Sequence, residues 1–153
     1  MITIISAYRV SKSNLTTGPD TAYNQQYRSL CRQGHKNPKP KIQFHTDLIT
    51  TINHHKCDSE IILMLDANSS LTEKHMSKLL NQTQLYDVMG NKHPQPTPNT
   101  YIRGTTKIDF ILATAPLLPT IKQAGILAFK QGVLSDHHGL WINLNYKDMP
   151  WVQ

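Results

Sequence analysis

The hydrophobic positions of this chain switch between a strand-like and a helical period. Residues 2–8 are rich in β-branched side chains and read as a buried strand. Residues 9–19 mix Ser, Thr, Asn, Gly and Pro and read as a loop. A helical period follows, in which Ala22 and Tyr23, Tyr27, then Leu30 and Cys31 share one side. Asp20 is the expected cap of that helix, which runs to about Gln33 before Gly34 stops it. Residues 35–40 form a basic linker, and Pro40 suits the start of a second helix. Ile42, Leu48, Ile49 and Ile52 mark its apolar side to about His55. The continuous apolar run at 60–65 predicts a central strand, and 66–70 a polar turn. Thr72 and Glu73 open a short helix to about Asn81, residues 85–89 fit either period, and the three prolines within 90–99 predict an irregular loop. Residues 100–103, 107–114, 122–129 and 140–146 then read as strands. Helices and sheets in layers, an α/β sandwich, fit this order best. Residues 1–146 form the expected domain and 147–153 a frayed tail, with Trp151 as its docking candidate.

Composition narrows the class. A chain of 153 residues allows one compact domain. The apolar runs at 61–65 and 108–113 exclude a disordered class, and no run reaches the roughly 18–20 residues that span a bilayer. The first residues lack the basic flank and cleavage site of a signal peptide. Cys31 and Cys57 make no disulfide framework, so a reducing, intracellular setting, cytoplasmic or nuclear, is expected, with both as small core residues. His54, His55 and Cys57 match no standard zinc spacing. Trp141 and Trp151 read as packing anchors. The net charge of +6 suits a nucleic-acid partner or another anionic surface. Arg28, Arg32, Lys36, Lys39, Lys41 and Lys56 share their stretch with a single acid, Asp47. They are either a phosphate-backbone contact or solvated helix faces.

Three short segments carry candidate chemistry. In Leu63-Met64-Leu65-Asp66-Ala67-Asn68 an acid and an amide stand at the end of a strand, where sheets commonly place sites. The carboxylate there suits proton abstraction or metal binding, and the amide suits a phosphate oxygen; the alternative is that both only shape a turn. Ser135-Asp136-His137-His138 follows a break containing Gly132 and offers a metal ligand beside an imidazole, or else a capped loop with exposed histidines. In Lys107-Ile108-Asp109-Phe110-Ile111-Leu112 the acid interrupts an apolar strand. A buried lone carboxylate is costly, so Asp109 either pairs, with His137 as the candidate partner, or faces water.

These segments, in this order, resemble the exonuclease–endonuclease–phosphatase superfamily. Ile4-Ile5-Ser6-Ala7-Tyr8 resembles its tyrosine-ending strand, Leu65-Asp66-Ala67-Asn68 its Gly-Asp-x-Asn block, Lys107 to Leu112 its Arg-Ile-Asp-Tyr-Ile block, and Ser135-Asp136-His137 its Ser-Asp-His block. Thr100-Tyr101 and the polar stretch after Tyr8 are most similar to endonuclease domains of non-LTR retrotransposons. The resemblance implies a four-layered α/β sandwich of two mixed sheets flanked by helices, cutting DNA with Mg²⁺ or Mn²⁺. It implies that Asp66 activates the attacking water, that Asn68 aligns it, and that His137 contacts the scissile phosphate with Asp109 orienting its ring. It further implies that Asp136 helps hold the metal and that Tyr8 places its hydroxyl near the phosphate. Leu65 stands where the family has glycine. The family's asparagine strand and its glutamate metal ligand precede the tyrosine strand, and Glu60 and Glu73 lie elsewhere. The resemblance therefore reaches only the carboxyl-terminal part of that domain, so the expectation is a fold truncated at its amino terminus, with an uncovered strand edge and weakened metal binding. The missing half, or a larger mobile-element polyprotein, would be its partner. Alternatives are an inactive remnant that only binds nucleic acid, and a phosphatase of the same superfamily.

Overall fold

In a computed structural model of the chain, the described residues are 1–13, 18, 20–93, 96–129, 134–149 and 151. The first strand, β1 (Ile2–Tyr8), is followed by two helices, α1 (Ala22–Arg32) and α2 (Pro40–His55), before β2 (Glu60–Asp66). This crossover lets β1 and β2 pair in parallel, Ile2 opposite Glu60 and Tyr8 opposite Asp66. Next come α3 (Lys74–Thr83), β3 (Leu85–Asp87), α4 (Val88–Lys92) and β4 (Asp109–Thr114). β4 runs antiparallel to both β2 and β3, giving a sheet of order β1-β2-β4-β3. After a 3-10 turn, β5 (Ile121–Ile126) and β6 (Leu140–Leu144) form a separate antiparallel pair. The chain is thus mixed α/β, with two sheets and flanking helices. No helix among the described residues is long and apolar enough to cross a membrane.

The apolar run of β2 follows from its place in the middle. Ile61, Leu63 and Leu65 bury one face under Leu48 and Ile52 of α2 and Met76 and Leu79 of α3. Ile62 turns to the other face and joins Ile111, Ala113, Ile121 and Ala124 in a second core between the sheets. A strand covered on both faces loses the polar alternation of a half-exposed one. Leu65, in the place of the family's glycine, is a core residue at 3% exposure. β1 is the sheet's edge, and Ile4 and Met64 remain exposed on the Ile62 face.

Several boundaries differ from the sequence reading. Thr21, not Asp20, is the N-cap of α1; its hydroxyl donates to the Gly18 carbonyl, while Asp20 pairs with Arg28 at 3.8 Å. Gly34 does end that helix, with φ +89° and its N–H on the Cys31 carbonyl, while His35 N–H reaches Leu30. Residues 85–89 resolve into β3 and the start of α4. Residues 100–103 are not a strand: Tyr101 makes one isolated bridge, to His137. The strands expected over 107–114, 122–129 and 140–146 are shorter, beginning at Asp109 and ending at Ile126 and Leu144. The tail is not frayed at Met149, which is 5% exposed and belongs to the second core, whereas Trp151 remains 41% exposed. Cys31 and Cys57 are exposed, not core residues. The break containing Gly132 and parts of the loops expected over 9–19 and 90–99 lie outside the described residues.

Candidate active site

Three chain segments meet at one end of the first sheet. Asp66 is the last residue of β2 and Asp109 the first of β4, and the antiparallel register sets them directly opposite. Facing partners point to the same side of a sheet, so the two carboxylates share one face. His137 joins them from the third segment, its Nδ1 lying 2.9 Å from Asp109 Oδ2. One ligand-capable atom from each of Asp66, Asp109 and His137 lies within 4.8 Å of the others.

Backbone bonds, rather than a strand, hold His137 in place. Ile102 N–H donates to the Asp136 carbonyl and His138 N–H to the Thr100 carbonyl, each at 2.8 Å, on either side of the Tyr101–His137 bridge. The Ser135 hydroxyl accepts from His137 N–H at 3.0 Å, and the Tyr101 ring sits 5.0 Å from the imidazole. Thr100 is fully buried, and its hydroxyl accepts from both Ile108 N–H and Asp109 N–H at 3.0 Å. One side chain therefore fixes where β4 begins, while its backbone fixes the loop that carries His137.

The turn after Asp66 is braced from the other side. Asn68 adopts a left-handed φ of 47°, its N–H donating to Asp66 Oδ1 at 3.1 Å. Asn68 Nδ2 donates to the Arg9 carbonyl at 2.8 Å, and Arg9 Nη2 returns a bond to the Asn68 carbonyl at 3.1 Å. Asn68 thus shapes the turn and spends an amide donor on Arg9. Arg9 Nη1 also reaches Glu73 at 3.0 Å and His45 at 3.1 Å.

Electrostatics sharpen the picture. Burial, and then the negative charge of Asp109, raise the Asp66 carboxyl above the ordinary aspartate range. Burial works against the imidazolium of His137, but the Asp109 hydrogen bond and the charges of Asp109, Asp66 and Asp136 outweigh it and raise its pKa. The arrangement pairs a half-buried carboxylate that holds protons well with an imidazolium steadied by a second acid. The oxygens of Asp66 and Asp109 suit a hard divalent cation; His137 Nδ1 is already engaged.

The other expected site residues divide. Tyr8, half exposed, lines a cleft of about 440 Å³ with Asp66, Asp109, Met64 and His138. Asp136 is exposed and lies outside the three-residue cluster, because its backbone carbonyl, not its carboxylate, is what the loop uses. Glu60 sits at the opposite end of β2 from Asp66, and Glu73 is committed to Arg9. Of the basic residues, Arg28, Arg32, Lys36 and Lys39 are exposed, Lys41 is half-buried beside Lys39 and Arg9, and Lys56 donates to the Thr83 carbonyl. Arg9, His45 and Thr100 were missed as supports. Their partners lie up to 64 residues away, and no local spacing announces such pairs.

No family model and no curated protein matches the chain by sequence. Solved structures do match. One is a variant of the 3′ phosphatase NExo from Neisseria bound to a product DNA hairpin, at TM-score 0.58 and 15% identity over 69% of this chain and 53% of that one. Another is the 3′-5′ exonuclease NExo from Neisseria meningitidis, at TM-score 0.55 and 16% identity over 69% of this chain and 54% of that one. The chain thus spans about half the length of these neighbours and shares their fold over that part.

Proposed function

We propose that the Asp66–Asp109–His137 site belongs to a divalent-metal-dependent nuclease that hydrolyses DNA phosphodiester bonds. The observation that carries this reading is the convergence of those three side chains at one sheet end. Asp66 orients the attacking water and accepts its proton, a task suited to a carboxyl raised by burial. His137, held as imidazolium by Asp109, donates to a phosphate oxygen where charge develops. Tyr8 lines the same cleft as Asp66 and Asp109 and offers a hydroxyl there. Mg²⁺ or Mn²⁺ bound at this sheet end, with Asp109 as a carboxylate ligand and Asp66 left free for the proton, would neutralise charge on the phosphate. With two carboxylates in the cluster and no glutamate, its binding should be weak.

Nicking of supercoiled plasmid by the full 153-residue chain in Mg²⁺ is the test. Activity should vanish in chelator and fall by roughly 10²–10⁴ in Asp66→Ala and His137→Ala. Equal nicking without those side chains would overturn the assignment. A second reading, action at a 3′ end, is favoured by the activities named for both structural neighbours. Release of phosphate from a 3′-phosphorylated oligonucleotide faster than plasmid nicking would select it. Origin in a mobile element rests on the sequence resemblance; a reverse-transcriptase frame beside the coding sequence would support it.

A further inference from the structure

Beyond the end of β1 lies a second cavity, of about 470 Å³, lined by Arg9, Lys12, Lys39, Lys41, Glu73 and His75 among others. Four of these carry ammonium or guanidinium groups and one is an acid. That acid is already engaged. Glu73 Oε2 accepts from Arg9 at 3.0 Å, and Oε1 caps α3 through His75 N–H at 3.4 Å. Among the described residues, the cavity therefore carries a surplus of positive charge with no second carboxylate on its walls.

Arg9 is its anchor. The residue is 4% exposed, with both terminal nitrogens bonded, yet its Nε–H is buried and has no partner among the described residues. Leaving a buried charged donor unmet costs about 1–3 kcal/mol or more, so the Arg9 guanidinium is not fully compensated by its protein partners. Lys41 shows the same imbalance: burial, and then the charge of Arg9, hold its ammonium below the usual lysine range. Lys39 and Pro40 place the amino end of the 16-residue α2 at this wall, adding the positive pole of a helix.

The cavity is also tied to the candidate active site. Arg9 follows Tyr8 directly, its N–H donates to the Asp66 carbonyl at 2.9 Å, and its carbonyl and guanidinium both bond Asn68. Alternation along the chain sends Tyr8 toward the Asp66–His137 face and Arg9 toward the helices.

We propose that this cavity binds a backbone phosphate of the DNA strand that occupies the Asp66–His137 site, with the Arg9 guanidinium as the buried charge behind it and Lys39 and Lys41 as the donors that reach it. The inference rests on the nuclease reading above and adds to it a second phosphate position. A phosphate there offsets the surplus charge and fixes the strand's register against the catalytic face.

The test is a titration of the ¹⁵N-labelled full chain, in chelator, with a 12-base-pair DNA duplex and separately with inorganic phosphate. DNA should shift the Arg9 Nε–H resonance together with those of Asp66 and His137, and inorganic phosphate should compete for the Arg9 shift. In fluorescence anisotropy, Lys39→Gln/Lys41→Gln should flatten the dependence of log affinity on log salt by about 1–2. Lys122→Gln/Lys147→Gln, which removes equal charge elsewhere, should leave that slope unchanged. Shifts at Asp66 and His137 without any at Arg9, or equal slopes in both double variants, would overturn the phosphate position while leaving the nuclease reading intact. An Arg9 shift with inorganic phosphate but none with DNA would overturn the strand assignment in favour of a free-anion site. No DNA-induced shift anywhere would sink the nuclease reading and this inference with it.

Discussion

Acid should destabilise the fold through one histidine outside the Asp66–Asp109–His137 cluster. His45 is 3% exposed, and its Nε2 lies 3.1 Å from Arg9 Nη1. A guanidinium has only donors, so Nε2 must be the acceptor and the ring must be neutral. Protonation would set an N–H against an N–H and bury a second cation beside Arg9. Burial, and then the charge of Arg9, hold the ring at about 4 against an ordinary 6.5; His75 adds to the depression and Glu73 opposes it. In the unfolded chain His45 takes its proton near pH 6.5, while in the folded chain it waits until about pH 4. Between those values the unfolded state binds more protons, so stability falls as pH falls. At roughly 1.4 kcal/mol per pH unit the loss is about 3 kcal/mol, complete near pH 4 and absent above pH 6.5. Urea unfolding at intervals from pH 7.5 to 4 measures it, with His45→Gln as reference, because glutamine offers Arg9 an acceptor that does not titrate. The stability advantage of the histidine protein over the glutamine variant should shrink by about 3 kcal/mol across that window. A flat difference, or an NMR titration of the His45 ring with its midpoint near 6.5, would refute the reasoning.

Three further outcomes follow from the site. Thr100→Val leaves the amides of Ile108 and Asp109 without their shared acceptor and should cost about 2 kcal/mol in urea unfolding; a loss under about 0.5 kcal/mol would show that water replaces the hydroxyl. Asp109→Asn removes the acid that raises His137, so the NMR midpoint of that imidazole should fall. The stability from the raised pKa, present below about 6.5 and lost as pH climbs through the folded value, should go with it, and an unmoved midpoint would disprove the pairing. Asp66→Asn keeps an oxygen for Asn68 N–H but removes a charge that burial and Asp109 both disfavour, so in chelator at pH 7 its melting temperature should rise; a fall would contradict the strained-charge reading.

What was legible in the sequence was what one segment decides by itself. β2 declared itself because a strand covered on both faces is apolar throughout, and α2 because Leu48 and Ile52 bury one side of a polar helix. The cost of burying Asp109 alone even pointed to His137, which the structure places 2.9 Å away. Failures cluster where distant segments decide. Thr100 to Arg103 reads as a strand by composition, yet only Tyr101 finds a bridging partner, because the rest is held by turns and by the loop carrying His137. Cys31 falls on the apolar period of α1, but that helix touches the fold lightly and leaves it exposed. The Arg9, His45, Glu73 and Asn68 network joins four segments by bonds that no periodicity encodes.

The two halves of that outcome have one physical source. A fold selected for stability alone would not set Asp66 opposite Asp109 at the end of a buried strand, where burial and the charge of Asp109 disfavour that of Asp66. It would not leave Arg9 Nε–H buried without an acceptor among the described residues either. The negative pair and the surplus of positive charge sit on opposite sides of one turn, joined through Asn68 in its left-handed conformation. Each is unfavourable by itself, and on the two proposals above each would be relieved when metal and DNA bind together, the carboxylates by a cation and the guanidinium by a phosphate. Electrostatic strain held in place by a rigid sheet is stored against binding, since a site that had already neutralised its charges would have little left to offer a phosphodiester.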